Sequence, residues 1–203
     1  HGIFQFDWSQ EYPSTIFPEQ LHLETDLPGI YQKENIATVL TTMEALSKQG
    51  LAIAYKHIQQ GIEQAKQITG LHGRWECISK EPTIIADVAH NIDGVQQVLK
   101  QLETSEFKQL HIITGMVKDK DVESVLAMLP ENAVYYFTQA QIPRALEADE
   151  LSKLATVKGL KGLVCPTVMK AIDAAREQAT KQDLILICGS VFMVGEALEI
   201  LMP

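Results

Sequence analysis

Residues 83–102 read Thr-Ile-Ile-Ala-Asp-Val-Ala-His-Asn-Ile-Asp-Gly-Val-Gln-Gln-Val-Leu-Lys-Gln-Leu. The first part, residues 83–88, is a mostly apolar run of strand length that opens on Thr83 and carries Asp87 near its end. The second part places Val95, Val98, Leu99 and Leu102 at helical spacing, so one face is apolar. A strand that runs directly into an amphipathic helix is the building block of a parallel sheet with flanking helices.

The block recurs along the chain. Residues 110–114 form a strand candidate followed by a helix carrying Val122, Val125, Leu126 and Leu129. Residues 133–137 precede a helix at 146–155, and a short strand near Leu163-Val164 precedes one with Val168, Ile172, Ala175 and Ala179 aligned. Residues 184–187 are the most apolar strand, with a closing helix from about Phe192. Residues 75–79 make one more strand. The spacing thus predicts an α/β fold, Rossmann-like, with a mainly parallel sheet. Right-handed crossovers put the C-terminal ends of its strands on one edge, where such sheets bind ligands.

Upstream the pattern differs. Gly2 to Trp8 alternates like a half-buried strand, and Leu21-His22-Leu23 reads as another. Residues 32–48 are helical, with Ile36, Val39, Leu40 and Met43 as the expected buried stripe, and a second helix is expected over 53–68. The break Thr69-Gly70-Leu71-His72-Gly73 is the expected boundary, giving domains 1–70 and 71–203.

The 203 residues carry 17 Lys and Arg against 26 Asp and Glu, a formal charge of −9 that argues against a nucleic-acid partner. The mean hydropathy is near zero, and no apolar run reaches the length of a membrane span. Cys77, Cys165 and Cys188 are odd in number and far apart. Cys165 and Cys188 end apolar runs, which indicates buried thiols in a reducing, cytoplasmic setting. The first residue is His1, so the chain reads as a processed product or a truncated piece.

Three strand ends carry polar or glycine-containing loops that open helices: Asp87 to Gly94, Gly115 to Asp121, and Cys188-Gly189-Ser190. Helix N-termini offer free N–H groups, so this edge suits an anion. Taken singly, Asp93, Asp119 and Ser190 read first as helix caps. Asp87 is harder to explain that way, because an unpaired carboxylate at the end of an apolar strand is costly. There is no GxGxxG and no GxxxxGK[ST]. The EF-hand and zinc spacings and a Gly-x-Ser-x-Gly elbow are also missing.

The order Leu71-His72-Gly73-Arg74-Trp75-Glu76, then Asp87-Val88-Ala89-His90-Asn91, Gly115…Asp119-Lys120-Asp121 and Gly189-Ser190…Val194-Gly195-Glu196 resembles the folylpolyglutamate synthase/dihydrofolate synthase family of Mur-type ligases. The stretch from Leu27 to Asn35 is similar to the family's Gly-x-His-Gln-x-x-Asn segment, with Tyr31 where His is usual. The resemblance implies that Arg74 and Asp87 face ATP. It implies that Asn35, with Gln32 as a second candidate, lies against adenine, and that His90 and Ser190 belong to the reaction centre and the incoming glutamate. Lys118 or Lys120 would help to hold that glutamate.

The resemblance further implies an ATP- and Mg2+-dependent ligase that makes an acyl phosphate and joins glutamate to dihydropteroate or a folate. The chemistry agrees with the residue types: a guanidinium makes paired, charge-assisted bonds to phosphate, and a carboxylate accepts from a ribose hydroxyl or a magnesium-bound water. The family's P-loop and metal ligands have no counterpart in this sequence, so residues 1–70 are expected to be the tail of a P-loop-type ATPase domain. No metal site is expected within the chain, and the fragment alone is expected to be inactive. The missing N-terminal ATPase domain would be its partner. A Mur-type cell-wall ligase and a stand-alone nucleotide-binding module remain as alternatives.

Overall fold

The computed structural model describes residues 2–7, 16–18 and 20–202. The chain divides into two compact units, His1–His72 and Gly73–Pro203.

In the first unit, strand β1 (Gly2–Asp7) pairs antiparallel with β2 (Gln20–Thr25), Gly2 opposite Thr25. The expected strand at the start of the chain is therefore present, although Trp8 lies outside the described residues. Strict alternation buries Leu21, Leu23 and Thr25 on one side of β2. Helix α1 (Gln32–Lys48) follows, and its buried row is Gln32, Ile36, Leu40 and Glu44, spaced every four residues. The expected stripe is corrected here: Val39 is 39% exposed. It borders an open cleft with Met43 rather than packing into the core.

The single helix expected over 53–68 is two helices, α2 (Tyr55–Glu63) and α3 (Ala65–Thr69). The break has a visible cause. The Asp26 carboxylate accepts the backbone N–H groups of Lys66 and Gln67, both at 3.0 Å, and so caps a new helix start.

The second unit is a six-stranded sheet in the order β3-β4-β8-β5-β6-β7. Its strands are β3 (Glu76–Lys80), β4 (Thr83–Ala86), β5 (Leu110–Thr114), β6 (Val134–Phe137), β7 (Gly162–Val164) and β8 (Leu184–Cys188). All neighbours are parallel except the edge pair β3–β4, which is antiparallel. Between the strands lie α4 (Ile92–Leu102), α5 (Val122–Leu126), α6 (Ala148–Val157) and α7 (Val168–Gln178), with α8 (Val191–Leu201) closing the chain.

Both faces are covered. Ile85, Ile112 and Leu186 pack with Val95, Val98, Val125, Leu126 and Leu151 on one side. Ile84, Ile113, Ile185 and Ile187 pack with Val168, Ile172, Met193 and Val194 on the other. Each fully buried Leu, Ile or Val contributes roughly 1.5–3 kcal/mol relative to exposure. That two-sided burial is why β5 and β8 read as continuous apolar runs rather than alternating ones. Cys165 and Cys188 are buried as expected, whereas Cys77 is exposed.

The register decides where the functional edge lies. Ala86 pairs with Ile187, Thr114 with Cys188, and Thr114 with Phe137. Asp87, Gly115, Thr138 and Gly189 are thus brought to one edge as the next residues out. Among the described residues no helix is long and apolar enough to cross a membrane.

Candidate functional site

The site begins with a turn. Gly73 has φ +71 and Trp75, although not glycine, has φ +49. Left-handed backbone at a bulky residue needs outside support. Three bonds supply it. Glu76, buried, accepts the Gly73 N–H at 2.8 Å through Oε2. Asp87 Oδ2 accepts the Trp75 N–H at 2.8 Å. The Val88 N–H donates to the Gly73 carbonyl at 2.9 Å. The Trp75 indole, 7% exposed, is sunk in the core beside Ile85 and Val95. A Cβ on Gly73 would stand 2.7 Å from Val88 Cγ1, so the turn closes only around glycine. Arg74, between the two left-handed residues, is half-buried, and its Nη1 donates to the Gly73 carbonyl at 3.2 Å.

Asp87 is 3% exposed. Its second oxygen, Oδ1, accepts the Ala89 N–H at 2.9 Å. The carboxylate expected at the end of β4 therefore has backbone partners on both oxygens, which resolves its cost of burial. Below it, burial first and the Asp87 charge second push the Cys188 thiol up to about 12.

His90 is half-buried, with Nδ1 2.9 Å from the Val88 carbonyl. A carbonyl only accepts, so Nδ1 carries the hydrogen and Nε2 is the basic atom of the neutral ring. Asn91 caps α4 by accepting the Gly94 N–H at 2.8 Å. Asp93, read from the sequence as a possible cap, lies instead in the first turn.

The loop after β8 joins the same edge. The Gly189 N–H donates to the Ala89 carbonyl at 2.9 Å. With φ +118, Gly189 passes so close to β5 that a Cβ would be 2.6 Å from Thr114 Oγ1. Ser190 caps α8 as expected, its Oγ accepting the Phe192 N–H at 3.2 Å, and it is 3% exposed. Its hydroxyl hydrogen is still available for donation.

After β5, Lys118, Asp119 and Lys120 are all exposed. The cap of α5 is Asp121, which accepts the Ser124 N–H, and not Asp119. Asp119 pairs with Arg144, Nη2 to Oδ2 at 2.5 Å. Hydrogen bonds, from its own backbone first and from Arg144 second, hold Asp119 below the ordinary carboxylate range. Arg144 was not anticipated from the sequence. It follows Pro143 in a loop without periodicity, and only the sheet register brings it beside residue 119.

Gln32 and Asn35 belong to the first unit. They line a cleft of about 360 Å³ walled mostly by Ile36, Val39, Met43, Ile53, Ile58 and Ile62. Asn35 Nδ2 donates to Gln32 Oε1 at 2.9 Å, which leaves Asn35 Oδ1 as an acceptor. The second unit thus gathers Arg74, Asp87, His90, Lys118, Lys120 and Ser190 around its sheet edge, while the apolar cleft with its two amides is a feature of the first. Among the described residues no group of three or more His, Cys, Asp or Glu could hold a metal ion.

Residues 73–191 match the family of the Mur ligase, glutamate ligase domain. A probable bifunctional folylpolyglutamate synthase/dihydropteroate synthase of Haloferax volcanii is 31% identical over 182 residues, 88% of this chain and 21% of that protein. The solved structure of Escherichia coli FolC in complex with DHPP and ADP is 30% identical with a TM-score of 0.72, covering 88% of this chain and 41% of that one. A bifunctional folylpolyglutamate synthase/dihydrofolate synthase solved with Mn, AMPPNP and L-glutamate bound is 25% identical with a TM-score of 0.72, covering 91% and 42%. The chain therefore spans well under half of each of these relatives. Its family match begins at Gly73, where the second compact unit begins, and the chain belongs to the Mur ligase family through its glutamate ligase domain.

Proposed function

We propose that this chain is part of an ATP- and Mg2+-dependent ligase that forms an amide bond between glutamate and dihydropteroate or a folate. The observation that carries the reading is the match of a glutamate ligase domain to the unit whose sheet edge gathers His90, Ser190, Lys118 and Lys120. Relatives solved with DHPP and ADP, and with AMPPNP, Mn and L-glutamate, support the substrate class.

ATP, when bound, supplies the phosphoryl group that activates a carboxylate for attack by an amine. The residues of this chain do the rest of the work by binding and orientation, which dominate such transfers. Arg74, carried on the Gly73–Glu76 turn, offers a permanently charged fork to phosphate oxygens. Asp87 keeps that turn in place, and its carboxylate serves a ribose hydroxyl or a magnesium-bound water. Asn35 Oδ1 accepts from the exocyclic amine of adenine, and the apolar walls of the cleft stack on the ring. His90 Nε2 takes a proton from the ammonium of the incoming glutamate. The Ser190 hydroxyl and one of the two lysines hold its carboxylates. The Mg2+ ligands come from an ATPase domain outside these residues, and the 203 residues alone do not turn over.

The test is a ligation assay on the product of the complete reading frame with ATP, Mg2+ and L-glutamate. Dihydropteroate and tetrahydrofolate are compared as acceptors, and product mass and ADP release are followed. Glutamate addition to either acceptor is the expected result. ADP binding without any ligation would leave a nucleotide-binding module instead, and addition to a cell-wall precursor would move the protein to another branch of the family.

A further inference from the structure

On the reading above that Arg74 binds phosphate, the geometry points to Glu76 as the positioning residue for that guanidinium. Glu76 sets nucleotide affinity by fixing the backbone from which Arg74 projects.

Arg74 sits between two left-handed residues, Gly73 at φ +71 and Trp75 at φ +49. Each flank is held by a different carboxylate. Asp87 Oδ2 accepts the N–H of the residue after Arg74 at 2.8 Å, and Glu76 Oε2 accepts that of the residue before it, also at 2.8 Å. Glu76 is 6% exposed, so its bond to the Gly73 N–H is shielded from water. An arginine is a long lever, and a small rotation of its backbone displaces the guanidinium by much more. A binding group misplaced by about 1 Å can cost about 100-fold in rate.

The strand that carries Glu76 is shaped to deliver it. β3 is the antiparallel edge strand, and its register against β4 shifts between Cys77 and Ser79. Ser79 faces Ile84, but Cys77 faces Ile85 and Glu76 faces Ala86, with Ile78 as the extra residue. An unbroken ladder would set Glu76 opposite Asp87. The shift instead brings Trp75 opposite Asp87, where its N–H meets the carboxylate. Bulges beside functional sites re-aim a strand end in this manner. The partner of Glu76 is a backbone N–H, so the task needs an acceptor oxygen, which a carboxamide also has.

A double-mutant cycle on the product of the complete reading frame tests this, read by calorimetry with ADP and Mg2+ and by KM for ATP and for glutamate. Glu76→Ala frees the Gly73 N–H. It should weaken ADP about five-fold or more and raise KM for ATP alike, with KM for glutamate within about two-fold of wild type. Glu76→Gln keeps the acceptor and should recover most of the loss. In an Arg74→Ala background Glu76→Ala should have no further effect on ADP, because the side chain it positions is gone. If Glu76→Ala does not fold, Glu76→Met fills the same space without a strong acceptor and is read in the same way.

A merely structural Glu76 would lower the melting temperature and leave ADP affinity at the wild-type value in the folded protein, which overturns the inference. Losses that add in the double variant overturn it too, since they place the effect outside Arg74. So do equal losses in Glu76→Gln and Glu76→Ala. Should Arg74→Ala bind ADP like the wild type, the phosphate reading of Arg74 falls and the positioning role with it. A loss in Arg74→Ala without one in Glu76→Ala strikes the positioning role alone.

Discussion

Asp87 Oδ2 accepts the backbone N–H of Trp75 at 2.8 Å, and through this bond the segments His72–Glu76 and Asp87–Asn91 become one physical object. Twelve residues separate the partners. The carboxylate at the end of β4 stabilises a left-handed turn that β3 could not hold by itself, and the turn in its turn presents Arg74.

This arrangement separates two variants that would otherwise look alike. Asp87→Asn places an amide group against one of two N–H donors and should cost about 1.5–3 kcal/mol of stability, seen as a lower midpoint in urea. Arg74→Ala removes a side chain whose bond to the Gly73 carbonyl is local, so stability should be nearly unchanged. Ligation by the complete protein should fall about ten- to a hundred-fold, the loss of charge-assisted phosphate bonds worth roughly 1.5–3 kcal/mol. Wild-type turnover in a folded Arg74→Ala protein would remove Arg74 from the nucleotide site.

Two left-handed glycines in close quarters, Gly73 and Gly189, test the turn and the edge independently of any ligand. Gly73→Ala meets Val88 Cγ1 at 2.7 Å with φ +71, and Gly189→Ala meets Thr114 Oγ1 at 2.6 Å with φ +118. Each should destabilise the second unit by about 1–3 kcal/mol. Thermal unfolding of the two variants checks this, and an unchanged melting temperature would mean that the backbone relaxes at little cost.

The cleft of the first unit should discriminate between purines. Asn35→Ala removes the acceptor left over by the Asn35–Gln32 bond, so ADP affinity should fall about ten-fold. GDP, which offers a carbonyl where adenine offers an amine, should bind weakly to the wild type and change little. Calorimetry with both nucleotides decides it, and equal losses for ADP and GDP would argue for a non-specific packing role.

A buried network on the far side of the sheet should set part of the acid sensitivity. His111 Nδ1 lies 3.0 Å from the Tyr136 hydroxyl, which donates to Gln178, and Nε2 lies 3.7 Å from Asp183. Burial outweighs the attraction of Asp183 and holds His111 below its ordinary 6.5. For Asp183 the effect of burial is exceeded by hydrogen bonds from Thr180 and Gln109 and by the His111 charge, so it lies below 3.8. Both folded values are depressed, so stability is complete above the unfolded values. It is lost as pH falls, through His111 below about 6.5 and through Asp183 below about 3.8. Unfolding followed from pH 7 to 5 should therefore flatten in His111→Gln, and an unaltered slope would show that His111 does not titrate in this range.

The sequence by itself determined the parallel α/β unit, because two-sided burial writes β5 and β8 as unbroken apolar runs and the helices as spaced apolar faces. It also determined the strand-end loops that bear Asp87, His90, Lys118, Lys120 and Ser190, since each interrupts such a run at a helix start. Only the tertiary structure decided which Asp or Asn serves which purpose. Asp121 rather than Asp119 caps α5, Asn91 rather than Asp93 caps α4, and Asp26 splits a helix forty residues away. Arg144 depended on the fold in the same manner. A helix cap is one residue three positions from its partner, and the Asp26 and Arg144 bonds join residues distant in sequence, so neither kind leaves a period in it, whereas burial against a sheet does.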